Sequence, residues 1–237
     1  MLKKLLTSLA AAPAPSGPAG PLPERTSVDG LTKMAARSLR KSGLEGQVAE
    51  VYLVLDRSRS MRPYYQDGTV QYLAERVLGL SRNLDADGRV PVVFFSTEVD
   101  GTTEVSVDAY AGRIEAAHSQ LGVMGSTRYS TAMTAVIERH RASGSTAPAL
   151  VVFQTDGSPT AADRAETKRL MRESADEGIF WLFLTFGKRV DFLRTLEHVG
   201  LDLDHIGRFG ADDPHHIDDG ELYDGITEPF ERWLHAA

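Results

Sequence analysis

The chain has 237 residues, of which 42% are hydrophobic, and it contains no cysteine. This length and apolar content suffice for one domain with a substantial core, and a chain without cysteine has neither disulfides nor thiolate metal ligands. Lysine and arginine together number 26 and aspartate and glutamate 33, so the net charge is −7. Such a balance argues against electrostatic attraction to nucleic acid or to an anionic membrane, and we predict neither partner.

The first 26 residues differ in composition from the rest. Lys3 and Lys4 precede a short apolar stretch that superficially resembles a secretory signal, but a threonine and a serine interrupt it, and five prolines and two glycines follow. We therefore expect residues 1–26 to form a flexible arm and residues 27–237 to form the folded domain. No segment reaches the ~18 to 20 apolar residues needed to span a bilayer, and we expect a cytoplasmic protein.

Apolar runs alternate with amphipathic stretches along the domain, after a first helix expected from Leu31 to Leu39 and ended near Gly43. The predicted strands are Ala49 to Leu55, Val90 to Phe95, Thr103 to Val107, Ala149 to Phe153, Ile179 to Thr185 and His205 to Phe209. The predicted helices are Val70 to Asn83, Arg113 to Ser119, Ser130 to Arg141, Ala162 to Asp176, Asp191 to His198 and Asp219 to His235. This alternation predicts an α/β fold, with a doubly wound, mostly parallel six-stranded sheet and helices on both faces.

Side chains that bear oxygen follow two of the predicted strands. Asp56, Ser58 and Ser60 occupy alternate positions directly after the first strand, Asp156 follows the fourth, and Thr127 lies in a glycine-containing turn before a helix. Ligands of such folds bind at the carboxyl ends of the strands, where we expect these residues to meet. Hydroxyl and carboxylate oxygens suit a hard cation such as Mg²⁺, so the sequence predicts a metal site. Taken alone, the first three residues fit an ordinary helix cap or turn better than a metal site, and it is their combination with Thr127 and Asp156 that favours the metal.

The order Asp-x-Ser-x-Ser, then Thr, then Asp resembles the metal-ion-dependent adhesion site of von Willebrand factor A (vWA) domains, with all five positions filled. Other segments resemble the TerF-like branch of that family, which is associated with bacterial tellurium-resistance and stress-response systems. These segments are Ala49 to Met61, Pro63 to Val70, Glu221 to Asp224 and Trp233-Leu234. The similarity covers roughly residues 28–234. It implies a vWA fold with one antiparallel edge strand.

The resemblance also implies roles for the five residues. Ser58 and Ser60 would bind Mg²⁺ directly, Thr127 directly or through water, and Asp56 and Asp156 would hold the ion's waters. Mn²⁺ and Ca²⁺ are further candidates. The open coordination position would take a Glu or Asp side chain from a protein partner, among which other tellurium-resistance proteins are candidates. The implied function is metal-dependent binding without enzymatic activity.

Two alternatives stay open at this stage. In the first, the chain is a Mg²⁺-dependent phosphohydrolase with Asp56 as nucleophile, as in haloacid-dehalogenase-like phosphatases, but Ser58 stands where those enzymes have their second aspartate, and a hydroxyl is a poor proton donor at neutral pH. In the second, the chain is a metal-free scaffold, because Arg59 stands where the family usually has glycine and Ser126 where a second glycine is common.

Three further features suggest sites of their own. The stretch from Asp212 to Asp219 contains two histidines and could bind a transition metal, although we favour a solvated loop with Asp218 or Asp219 capping the next helix. The aromatic run from Phe180 to Phe186 is expected in the core. Tyr64 and Tyr65 are expected on the rim of the metal site, where a partner contact and simple packing are equally compatible with the sequence.

Overall fold

The computed structural model describes residues 24–85, 87–187, 190–196 and 204–236. Six strands form one sheet in the order β3-β2-β1-β4-β5-β6, and every neighbouring pair is parallel except β2 with β3. The strands are β1 Glu50–Asp56, β2 Arg89–Phe95, β3 Val99–Ser106, β4 Ala149–Thr155, β5 Ile179–Phe186 and β6 Ile206–Ala211. The predicted doubly wound sheet with an antiparallel edge strand is confirmed.

Helices cover both faces of the sheet. The α-helices of the described ranges are α1 Val28–Lys41, α2 Arg62–Gln66, α3 Thr69–Leu84, α4 Arg113–Gln120, α5 Tyr129–Ser143, α6 Arg164–Glu173, α7 Asp191–Leu196 and α8 Asp219–Ala236. Two short 3-10 helices span Arg59–Met61 and Ala175–Glu177. None of the helices in the described ranges has the length and apolar character required to cross a membrane.

The core consists of two apolar layers, one on each face of the sheet. Along β1, Leu53 and Leu55 face the layer formed with α1, α3 and α8, and Val54 faces the layer formed with α5, α6 and α7. Because strands buried on both faces need apolar residues at every position, they appear in sequence as continuous apolar runs. The aromatic run of β5 is buried as expected, with Phe180 in the first layer and Trp181 in the second.

Several element boundaries differ from those predicted from the sequence. β3 begins at Val99 rather than Thr103, because an edge strand paired on one side tolerates the polar residues that hid its start. The helix expected from Ala162 to Asp176 ends at Glu173 and gives way to a 3-10 turn. The 3-10 helix Arg59–Met61 and α2 were missed, because elements of three to five residues are too short to show a periodic pattern. His198 and most of the predicted arm, residues 1–23, lie outside the described residues.

Residues just before α1 are attached to the domain through hydrogen bonds. The Thr26 hydroxyl donates to Asp219 Oδ2 over 2.7 Å, and the Arg25 guanidinium donates to the Asp67 carbonyl oxygen over 3.3 Å. Asp219 is itself buried and accepts a 2.6 Å hydrogen bond from Arg76 Nε. These contacts fix the start of α1 beside the first turns of α3 and α8.

Candidate metal centre

The predicted site lies at the point in the sheet where the strand order reverses, between β1 and β4. β1 pairs with β2 on one side and β4 on the other, so the carboxyl ends of β1 and β4 open a crevice. The register aligns Leu55 with Gln154, which brings Asp56 beside Thr155. The Thr155 hydroxyl donates a 2.6 Å hydrogen bond to Asp56 Oδ2. The parallel register therefore joins the two strand ends at the site.

Asp56 is fully buried, and both of its carboxylate oxygens accept hydrogen bonds. The second oxygen, Oδ1, accepts a 2.6 Å bond from the Ser58 amide. Burial raises the pKa of Asp56 to about 7, and the nearby Asp156 adds to this rise, whereas the bonds from Thr155 and Ser58 oppose it. Neutralisation of this carboxylate by a proton or a cation therefore stabilises the folded protein.

Two serine hydroxyls approach the second carboxylate. The Ser60 hydroxyl donates to Asp156 Oδ1 over 2.8 Å, and Ser58 Oγ lies 3.5 Å from the same oxygen and 3.2 Å from Ser60 Oγ. The 3-10 helix produces this arrangement, because its turn brings the Met61 amide back to the Ser58 carbonyl oxygen at 2.9 Å. Four of the five residues singled out from the sequence are therefore connected through hydrogen bonds.

Thr127, the fifth residue, reaches the site through the loop before α5. Its carbonyl oxygen accepts a 2.9 Å hydrogen bond from the Thr160 amide, and a Cβ placed on Gly157 would lie 4.0 Å from Thr127 Oγ1. The hydroxyl of Thr127 is therefore next to the turn that carries Asp156. Gly125 lets this loop approach β2, because a Cβ there would collide with Thr97 Oγ1.

The two departures from the family pattern fit the loop without backbone strain. Every described residue with positive φ is a glycine, so neither Arg59 nor Ser126 occupies a left-handed conformation. Arg59 begins the 3-10 helix, its amide donates to the Gly125 carbonyl oxygen over 3.2 Å, and its Nε donates to the Met124 carbonyl oxygen over 3.4 Å. The long side chain lies along the rim of the crevice.

Arg57, which the sequence analysis missed, joins the site to two distant segments. Its side chain is buried, with Nη1 donating to Asp100 Oδ2 over 2.7 Å, Nε to His118 Nδ1 over 3.0 Å, and Nη2 to the Gly122 carbonyl oxygen over 2.8 Å. Strand alternation sends this side chain away from the Asp56 and Ser58 side chains. Its position between the candidate ligands Asp56 and Ser58 was the one sequence feature that pointed to a role at the site. Its hydrogen-bond partners are remote in sequence.

The donor set fits a hard divalent cation. No described cationic side chain forms an ion pair with Asp56 or Asp156, and the arrangement contains oxygen atoms alone. The described residues contain no group of three or more His, Asp or Glu side chains that could hold a metal, so hydroxyl oxygens have to contribute. Carboxylates and hydroxyls at one crevice suit Mg²⁺ better than a soft transition metal.

The histidine-containing stretch forms a loop that caps α8. Asp218 Oδ1 accepts hydrogen bonds from the Gly220 and Glu221 amides over 2.8 and 3.1 Å, as an N-cap does. His215 Nδ1 lies 2.9 Å from the Thr69 hydroxyl, and His216 Nδ1 lies 2.8 Å from an oxygen of Asp213. Asp218, one of the two predicted capping residues, therefore caps α8, as the loop interpretation expects.

The two tyrosines after the metal loop differ in position. Tyr65 is buried, stacks on His118 at a centroid distance of 4.1 Å, and donates to the Asp56 carbonyl oxygen over 3.1 Å. Its expected place on the rim is therefore wrong, because α2 turns it into the core. Tyr64 remains partly exposed and packs edge-on against Phe186 at 5.2 Å.

Comparison with known proteins agrees with this architecture. A family model described as vWA-TerF-like, the vWA found in the TerF C terminus, matches residues 48–237. The uncharacterized protein YcbR of Bacillus subtilis (strain 168) is 30% identical over 205 residues, which cover 84% of this chain and 83% of that protein.

Two solved structures share the fold. A von Willebrand factor type A protein from Catenulispora acidiphila aligns with a TM-score of 0.56 at 16% identity, over 77% of this chain and 42% of that one. The VWA domain of SpRpn10 aligns with a TM-score of 0.50 at 14% identity, over 74% of this chain and 93% of that one. vWA domains are generally interaction modules, and they often bind a metal ion. With the family model matching most of its length, the chain belongs to the vWA-TerF-like family.

Proposed function

We propose that this protein is a metal-dependent protein-binding module. Ser58, Ser60 and Thr127 would hold a Mg²⁺ ion through their hydroxyl oxygens, and Asp56 and Asp156 would hold the waters of that ion. The observation that carries the proposal is the approach of both serine hydroxyls to one oxygen of Asp156, with no described cationic side chain paired to Asp56 or Asp156. The family supports it, since vWA domains commonly mediate protein–protein interactions.

The chain's own residues determine how such a site is used. When bound, Mg²⁺ supplies an electrophilic position that accepts a carboxylate oxygen from a partner. Asp56 lies beneath the site and is closed to solvent, whereas Ser60 is exposed, so the crevice is open on one side. Hydroxyl ligands are neutral and leave the charge of the ion available to an incoming Glu or Asp. Mn²⁺ and Ca²⁺ are alternative ions for the same oxygen set.

The family description also supports a cellular setting. The model that matches this chain is defined on the TerF C terminus. We propose a bacterial tellurium-resistance or stress-response system of the cytoplasm as its setting, with other proteins of that system as partners; the match to the TerF C terminus supports the link to that system.

The arrangement of Asp56 disfavours a phosphohydrolase. A nucleophilic carboxylate needs an oxygen that can reach the phosphorus atom of its substrate. Asp56 is fully buried, one of its oxygens accepts from the Ser58 amide and the other from the Thr155 hydroxyl. Burial therefore keeps both oxygens from direct attack on a substrate, while the remaining lone pair of each can still accept a hydrogen bond from a water of the ion.

Capture of partners from a bacterial lysate tests the proposed function. The tagged full chain should retain its partners in Mg²⁺ and release them in EDTA, and Thr127→Ala should lower the amount retained without lowering the melting temperature. Thr134→Ala is the matched control, because Thr134 is exposed on α5 and lacks a described hydrogen-bond partner. Equal retention by the wild-type protein with and without EDTA, and by the Thr127 variant, would reduce the metal to a structural role at most.

A further inference from the structure

An apolar side chain projects from the loop that carries Thr127. Val123 has a relative exposure of 86%, higher than the other exposed large hydrophobic residues of the described chain, Val48 at 59% and Val107 at 44%. It lies between α4 and α5, two residues before Gly125, and Gly125 forms an isolated β-bridge with Ser58 of the metal loop, which brings this loop to the crevice. A nearly fully exposed valine at the edge of a binding site is suited to contact with another molecule.

Arginines lie on the same rim. Arg59 lies between Ser58 and Ser60, and Arg62 begins α2 two residues after Ser60. Both are exposed, and neither forms an ion pair with a described residue. The Arg59 Nε bond to the Met124 carbonyl oxygen, at 3.4 Å, places its guanidinium against the backbone of the residue that follows Val123. This positive charge is local, because the whole chain carries a net charge of −7.

Arg128 borders the other side of the Thr127 loop. Its Nη1 donates to the Thr97 carbonyl oxygen over 3.4 Å, and its Nε lies 3.7 Å from the buried Asp163. Its side chain keeps 46% of its exposure, so part of the guanidinium remains accessible. Glu98, the residue after Thr97 in the turn between β2 and β3, is an exposed carboxylate on the segment that Arg128 contacts. The rim around Thr127 therefore combines several positive charges with one apolar residue.

We propose that Arg59, Arg62, Val123 and Arg128 form the docking surface for an acidic segment of a partner protein, one that carries an apolar residue beside its carboxylates. This proposal deepens the proposed function, which supplies one carboxylate to the ion, by assigning the neighbouring charges and the apolar contact to the rim. Charges arranged in this way guide association and select among partners.

The alternative polyanion, a single-stranded nucleic acid, fits the surface less well. Proteins of that kind stack bases on exposed aromatic rings along a basic groove. The exposed large hydrophobic residues of the described chain are all valines, and Phe180 and Trp181 are buried. The net charge of −7 also opposes nonspecific attraction to a phosphate backbone.

A peptide of repeated Glu-Glu-Leu units, labelled with fluorescein, tests the proposal by anisotropy in Mg²⁺ and in EDTA, at low and at raised salt. Peptides of Gln-Gln-Leu and Glu-Glu-Ser units and a labelled oligothymidylate are the comparison probes. The variants are the double charge reversal Arg59→Glu with Arg62→Glu, and Val123→Ser. Their matched controls are the double charge reversal Arg37→Glu with Arg172→Glu, and Val48→Ser, at exposed positions near the opposite ends of the strands.

We expect the acidic-apolar peptide to bind more tightly than either comparison peptide, and raised salt to weaken it. The double charge reversal should weaken binding at least about tenfold at low salt, because it sets like charges against each other. Val123→Ser should weaken it about threefold or more through lost apolar contact. Both controls should match the wild-type protein, and melting curves of all variants should coincide, since the substituted side chains are exposed.

The outcomes separate this proposal from the proposed function. If the peptide still binds in EDTA, and the variants keep the same ranking of affinity for it, the docking surface is supported and the metal's part in partner binding is contradicted. The proposal is overturned if the peptide fails to bind in both buffers, if the controls weaken binding as much as the rim variants, or if oligothymidylate binds more tightly than the peptide.

Discussion

Replacing Asp56 with asparagine should flatten the dependence of stability on pH in the metal-free protein. The pKa of Asp56 is raised from 3.8 to about 7 in the folded state, chiefly by burial. Because the folded protein holds this proton more tightly than the unfolded chain does, the free energy of unfolding falls as pH rises from about 4 to about 7. Above about pH 7 Asp56 is ionised in both states, and the free energy of unfolding falls no further from this group.

The size of the effect follows from the shift. One pKa unit corresponds to about 1.4 kcal/mol, so a rise of about three units costs the metal-free protein at most about 4 kcal/mol at neutral pH. Asparagine has the same shape and carries no charge. Its amide can donate to the Thr155 hydroxyl, which can in turn donate to the Gly157 carbonyl oxygen 3.1 Å away. The substitution therefore removes the titration with little loss of packing.

Urea unfolding at a series of pH values, with metal removed beforehand, measures the effect. Wild-type protein should lose stability from about pH 4 to about pH 7, whereas Asp56→Asn should lose much less and should be the more stable protein above pH 7. Added Mg²⁺ should then stabilise the wild type at neutral pH and leave the variant unchanged. Equal pH profiles for the two metal-free proteins would refute the reasoning.

Three further predictions concern the surroundings of the site. Arg57→Met should lower the free energy of unfolding by about 3–5 kcal/mol in urea, because it leaves the nearly buried Asp100 without its ion-pair partner, and a loss below ~1 kcal/mol would contradict this. Gln154→Met should be neutral or stabilising by about 1 kcal/mol, since Gln154 Oε1 is buried without a described hydrogen-bond partner, and a clear loss in the same assay would count against it. Deleting residues 1–23 should leave the melting temperature unchanged in calorimetry, because the segment has little apolar surface to repay its ordering entropy, and a lower melting temperature would show that the arm packs on the domain.

The part of the site that follows directly from strand ends could be predicted from the sequence. Asp56 and Asp156 each follow an apolar strand, and parallel strands bring their carboxyl ends to one edge. Ser58 shares the side of Asp56 because side chains alternate in extended chain, and its backbone is still extended. These arguments use nothing beyond local pattern and the geometry of a parallel sheet.

Other parts of the site depend on contacts that local pattern does not encode. Arg57 binds Asp100 and His118, which lie 43 and 61 residues away in sequence, so its burial has no local signal. Tyr65 follows the metal loop but turns inward, because α2 is too short to predict. Gly125 is required by the close approach of Thr97, which becomes visible once the loop is packed against β2.

Calorimetric titration of Mg²⁺ into metal-free protein, with melting curves on the same samples, tests the central claim most directly. Wild-type protein should show saturable binding and a melting temperature that rises with metal concentration. The free energy of unfolding should rise by about 2.7 kcal/mol when the metal concentration is a hundred times the dissociation constant. Asp156→Ala should show neither, while Asp108→Ala, at an exposed turn after β3, should behave as the wild type. An absence of binding heat and an unchanged wild-type melting curve across millimolar Mg²⁺ and Mn²⁺ would contradict the account.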